Sequence, residues 1–290
     1  MPGNLQLLES RSNHIEESLI AHTQSSVGFS RFTAEERSRL LPYLADSRRI
    51  LKFYENSNHP AATLQAYGAF FDFAELLFYL QLDQESLLQL AGPGFLPPVK
   101  EISIESFREK AKHAAILARK SLAIDPNPNI KQKSDLILIE VLSDLLFNER
   151  TDPYLFERLA NIDRSNVRSA LQPVVNYTIL ALSAQKGDIK TVNLLIQDGF
   201  ENEVQQLIRV YTQFHGRDYI QSLQNARLML NQPSINANNR SEAARIIGEI
   251  FAIQSGPAAG LPYLILAQDL REKPSPLLTE QIERWQNGQK

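Results

Sequence analysis

Apolar and polar positions follow a helical period along almost the whole chain. Leu5, Leu8, Ile15 and Leu19 recur at spacings of three, four and seven and predict a first amphipathic helix. Thr33-Ala34-Glu35-Glu36 has the form of a capping box, with Thr33 as the cap and Glu36 reaching back. Leu40, Leu41, Leu44, Ile50, Leu51 and Phe53 continue the pattern, with Pro42 placed to bend or divide the run. A third helix is expected over residues 61–81. Its aromatics Tyr67, Phe70, Phe71, Phe73, Phe78 and Tyr79 point in several directions, so this helix should be central and covered on most sides.

A short helix is expected over 84–90. Ala91-Gly-Pro-Gly-Phe-Leu-Pro-Pro98 then marks the densest run of Gly and Pro and the best domain boundary. Beyond it, Ser103 caps a helix to Ile124, which Asp125-Pro126-Asn127-Pro128-Asn129 stops. Further helices are expected over 133–147, 153–162 and 165–186. Gly187 and Asp188 close one helix and cap the next, which runs to Asp198. The series ends with 201–214, 218–231, 241–254, 258–271 and 276–286. The links are short except for a polar, Asn-rich loop at 232–240. No period-two run of β-branched residues and no Asn-Gly hairpin turn is present. The expected architecture is all-α. An N-terminal helical bundle (1–92) and a linker (93–102) precede a solenoid of stacked antiparallel helical hairpins (103–290).

Two stretches carry a family resemblance. In Tyr177–Glu201, the residues Thr178, Leu180, Ala184, Gly187, Val192, Leu194, Leu195 and Gly199 resemble one ankyrin repeat. Ile179 and Ala181 depart from it, and no second copy follows at the family's period of about 33 residues. An ankyrin array is therefore not expected. Ser241–Leu270 is similar to a tetratricopeptide unit, with Ile247-Gly248, Phe251, Leu264 and Ala267 at the packing positions and Gly260 in place of the usual alanine. Arg119–Pro126 resembles the end of the second helix of a tetratricopeptide unit. The resemblance implies a tetratricopeptide-like α-solenoid with degenerate repeats, in which Gly187 and Gly248 are packing positions. An irregular helical bundle is the alternative.

Composition narrows the chemistry. The chain of 290 residues has no cysteine, so disulfides, thiolate zinc sites and cysteine nucleophiles are excluded. No run approaches a membrane span, and Met1–Ser18 has neither a basic nor an apolar signal region, so the expected location is cytoplasmic. Net charge is −3, and nucleic acid is not an expected partner. No Gly-rich phosphate loop or GxSxG elbow occurs. Gly92-Pro93-Gly94 reads as a linker rather than an anion cradle.

The remaining candidates are small clusters. His14, Glu17 and His22 share a helix, but no Glu-x-x-His pair elsewhere completes a metal site. Asp72 and Glu75 lie on one side of the aromatic helix. They either mark its wet face, pair with a buried arginine, or act as an acid–base pair. Arg108, Lys112 and Arg119 form a basic stripe with Lys131 and Lys133 just beyond it, and Arg48, Arg49 and Lys52 form a second group. Acidic neighbours and the absence of interleaved aromatics favour solvated faces.

The expected function is a non-catalytic protein–protein interaction scaffold or adaptor in a larger assembly, without cofactor or metal. Partners are other proteins, including a second copy of the chain. Asn225, Asn238, Asn239 and Arg240 are the candidate partner-binding residues. An enzyme with a pocket made of distant residues and an RNA-binding solenoid are the alternatives. Helices 61–82 and 261–270, apolar beyond a single stripe, are expected to need extensive cover.

Overall fold

A computed structural model describes residues 5–25, 28–29, 32–55, 59–79, 102–126, 128–147, 153–196, 202–271 and 274–288. The fold is all-α. The helices are α1 (Leu5–Ala21), α2 (Ala34–Glu55), α3 (Ala61–Tyr79), α4 (Ile104–Ile124), α5 (Ile130–Phe147), α6 (Pro153–Ala160), α7 (Gln172–Lys186), α8 (Ile189–Leu195), α9 (Asn202–His215), α10 (Tyr219–Leu230), α11 (Ala237–Ser255), α12 (Pro257–Asp269) and α13 (Pro276–Gln286). Two short strands, β1 (Thr23–Ser25) and β2 (Gly28–Phe29), pair antiparallel between α1 and α2. This pair was not foreseen, because segments this short carry no detectable period.

The chain forms two compact units, 1–179 and 180–290, and the division falls within α7. In the first unit α3 is the core element. Every residue from Gly68 to Phe78 is buried, and α1, α2, α4 and α5 all pack against it. The scatter of aromatics around α3 therefore reflects cover supplied by the chain itself. Thr33 and Glu36 form the expected capping box: the Thr33 amide donates to Glu36 Oε2 at 2.7 Å, and the Glu36 amide donates to Thr33 Oγ1 at 3.2 Å. α2 runs unbroken through Pro42. Residues 165–186 are not one helix: a 3-10 turn at Arg164–Asn166 precedes α7. The helix expected over 84–90 and residues 93–101 of the expected linker lie outside the described residues. On either side of them, α3 and α4 pack together.

The second unit is a succession of capped helices. Asp188, Asp218, Asn236 and Ser275 each accept an amide hydrogen in the first turn of the helix they open. α9 packs on α8 and α10, and α11 packs on both α9 and α10. α12 packs on α11, and α13 on α12. Two glycine contacts fix the spacing. Gly187 has φ +75, and a Cβ placed on it would lie 2.2 Å from the Gly216 Cα, so the α7–α8 and α9–α10 turns touch backbone to backbone. Gly248 and Gly260 make a similar contact where α11 and α12 cross.

Candidate interaction surface

Of the four residues expected to bind a partner, Asn225 and Arg240 make side-chain contacts within the second unit. Asn225, on α10, donates its side-chain amide to Gln213 Oε1 of α9 at 2.9 Å. Asn238, Asn239 and Arg240 do not lie in a loop. α11 starts at Ala237, one residue past its cap Asn236, whose Oδ1 accepts from the Asn238 amide at 2.8 Å. Arg240 Nε donates to the Leu230 carbonyl at 3.2 Å and so satisfies the end of α10. Asn238 is the exposed member of the three, and Asn239 and Arg240 are half-buried. The Asn-rich composition that suggested a loop is helix-capping chemistry.

Among the described residues, side chains with chemical potential gather in four larger ion-paired clusters. In the first, Arg48 of α2 donates from Nε to Asp72 Oδ1 at 2.7 Å and also pairs with Glu75. Lys110 pairs with Glu75 at 2.8 Å, and His113 Nδ1 meets Asp72 Oδ2 at 2.5 Å. Asp72 and Glu75 thus pair with an arginine, as one of the sequence readings held. Burial pushes the Glu75 carboxyl up, but Lys110 and Arg48 together hold it below the ordinary range.

In the second cluster, Glu140 of α5 takes both Arg119 (3.1 Å) and Arg158 (2.7 Å), and Arg119 also pairs with Asp144. Burial opposes ionisation of Glu140, and the two arginines outweigh it. Arg119 thus reaches across to α5 while its side chain stays 48% exposed, as a solvated basic face has it. In the third, Arg168 donates to Asp135 Oδ2 (2.8 Å) and Ser12 Oγ (2.6 Å), with its guanidinium 4.4 Å from the Phe70 ring centroid. Asp135 is the exception among these carboxylates, since burial raises its pKa despite Arg168.

The fourth cluster lies in the second unit. The Tyr211 hydroxyl donates to Glu242 Oε2 at 2.5 Å and accepts from Arg245 Nη2 at 2.7 Å. Arg245 also pairs with Glu249, and Arg271 with Glu242. Burial drives the Tyr211 hydroxyl far above its usual range. Glu242 is lowered, because Arg245 and its hydrogen bonds overcome the cost of burial.

The shifts of Glu75, Glu140, Glu242 and Tyr211 run away from neutral pH, where acid–base work needs its groups poised, and that of Asp135 does not. The lowered glutamates stay ionised and are occupied by cations. A cleft of about 440 Å³ lies beside α5 and α6, lined by Lys133, Ser134, Ile137, Tyr154, Glu157 and Arg158 among others. Its arginine is already committed to Glu140. The histidines considered for metal are engaged elsewhere: His14 lies against the Tyr43 ring, and His22 stacks on Phe32 and pairs with Glu36 at 3.2 Å. Among the described residues no three His, Cys, Asp or Glu side chains group as a metal site, and no helix is long and apolar enough to cross a membrane.

The second unit also carries large apolar side chains in the open. Leu194 on α8 is 75% exposed, Ile220 and Leu228 on α10 are 69% and 68% exposed, and Leu277 on α13 is 72% exposed. Ile265 and Leu266 add to this on α12. Charge is scarce on the same helices. Each of α8, α10 and α12 has one charged residue: Lys190, Arg227 and Asp269. The low charge of these helices was visible in the sequence, but which of their apolar residues lie outward was not. Compared with protein-family models, curated proteins and solved structures, the chain finds no match.

Proposed function

We propose that the protein is a non-catalytic protein–protein interaction scaffold of the cytoplasm, working as a subunit of a larger assembly or as a recruiter to one. In this reading the second unit is a tetratricopeptide-like stack. Three features support it: the first helix of one hairpin (α11) packs on both helices of the preceding one, small residues stand at both close crossings, and Gly248, Gly260, Leu264 and Ala267 occupy the positions that the resemblance assigns to packing.

The observation that carries the reading is the exposure of Leu194, Ile220 and Leu228 on helices with almost no charge. Exposed apolar side chains support the reading where they adjoin to make one patch, which is the form an interaction site takes. The test is capture of the tagged chain at its native level in its host, washed at low and at high salt, beside the Ile220→Glu, Leu228→Glu double variant. The reading expects a small set of proteins in fixed ratio that survives high salt and is lost in the variant. A bare wild-type chain overturns it, and nucleic acid released by salt points to the RNA-binding alternative.

A further inference from the structure

The histidine of the first ion-paired cluster has a geometry that a structural ion pair does not require. His113 stands on α4 with its side chain 64% exposed, while its partner Asp72 is buried on α3. A carboxylate oxygen 2.5 Å from Nδ1 requires a proton on that nitrogen. The neutral ring then carries its lone pair on Nε2, on the side away from Asp72. Asp72 is itself fixed by Arg48 Nε, and Glu75, one turn further along α3, is held by Lys110 and Arg48. The imidazole is therefore oriented by a carboxylate that is itself held by a cation. That arrangement makes an exposed, oriented nitrogen nucleophile.

We infer that His113 is a modification site that accepts a phosphoryl group at Nε2, with Asp72 positioning the ring. The donor class is a phosphoramidate or an acyl phosphate. The Nε2 lone pair forms the bond to phosphorus. The donor's P–N or P–O bond breaks, and its electron pair leaves as ammonia, after protonation by water, or as a carboxylate. The Nδ1 proton stays on the ring, hydrogen-bonded to Asp72. The product adds a phosphate's negative charge on the exposed side of α4. The inference does not depend on the scaffold reading.

The test uses the full chain and potassium phosphoramidate, with acid-labile phosphate mapped by mass spectrometry. His14, His22, His59 and His215 are internal controls. A synthetic peptide of residues 106–120 carries His113 without Asp72. The expected result is that His113 is labelled first, at least about tenfold faster than in the peptide. That lies below what a positioned partner contributes in an enclosed site, because this ring is largely in water. Asp72→Asn should bring the rate down toward that of the peptide. Equal rates in chain and peptide, or labelling no faster at His113 than at the other histidines, overturn the inference. That comparison decides the matter even where Asp72→Asn does not fold.

Discussion

Gly260 approaches Gly248 so closely that a Cβ on Gly260 would lie 2.2 Å from the Gly248 carbonyl oxygen and 2.8 Å from Trp285. Backbone cannot move aside as a side-chain tip can, so even alanine must push α11 and α12 apart. Gly260→Ala should cost about 1–3 kcal/mol, as overpacking of a tight contact does. Gly248→Leu should cost at least as much, since its Cβ would already lie 3.0 Å from the Gly260 carbonyl. Thermal melts of both variants check this, and an unchanged Tm in either means that the two helices do not cross at this distance.

Acid should weaken the fold, and the sign follows from the buried carboxylates. Glu75, Glu140 and Glu242 titrate below the usual 4.5 in the folded chain. Between the folded and the usual values the unfolded chain binds more protons, so stability rises with pH there. This contribution is complete above 4.5 and is lost as pH falls through the folded values. Asp135 has the opposite sign. Its folded pKa is raised above 3.8, so its contribution favours folding on the acid side and declines as pH rises through the folded value. Three groups against one give a net loss on acidification. Urea midpoints measured from about pH 3 to about pH 7 should fall below about pH 4.5, with a shallower slope for Glu140→Gln. A midpoint that holds or rises on acidification contradicts these pairings.

The helical class and most of the elements were legible in the sequence because burial repeats at 3.6 residues, and a period survives without knowledge of partners. Thr33, Ser103 and Asp188 could be placed as caps for the same local reason. The Gly248 and Gly260 crossing was legible through the small residues placed in two neighbouring helices. The ion clusters were not, since Arg48 and Asp72 are 24 residues apart and Arg119 and Asp144 are 25 apart. Such pairs exist only once the helices have packed. Asn236–Arg240 misled because asparagine favours caps and loops alike, and only the packed structure shows Arg240 closing the end of α10. Nor does periodicity separate the side chains covered by a neighbouring helix from Ile220 and Leu228, which are left outside.

The Tyr211–Glu242–Arg245 cluster should behave as one unit. Glu242 accepts from Tyr211, Arg245 and Arg271, so Glu242→Gln leaves two guanidinium groups short of a charge. The expected cost is about 3 kcal/mol, the low end for a broken buried pair, because Glu249 still faces Arg245. Tyr211→Phe alone should cost about 1–2 kcal/mol for its lost hydrogen bonds. The double variant should be less destabilised than the sum, since both remove the same bond. Urea unfolding of the three variants measures the coupling, and strict additivity would mean that the cluster is not connected as drawn.

Trp285 is the chain's single tryptophan, which makes α13 separately observable. It packs with Ile282 against a cluster of Ala244, Leu264, Ala267 and Leu278 and lies over Gly260. α13 has 11 residues, too few to hold a helix alone in water. Its order therefore depends on this apolar contact with α12. Ile282→Glu should release it, moving tryptophan emission to the red while far-ultraviolet circular dichroism loses no more than one short helix. Unchanged emission would mean that α13 is held by something other than this contact. Loss of most of the helical signal would mean instead that the packing of α11 on α12 depends on α13, which would make α13 integral to the unit rather than a cover on its last hairpin.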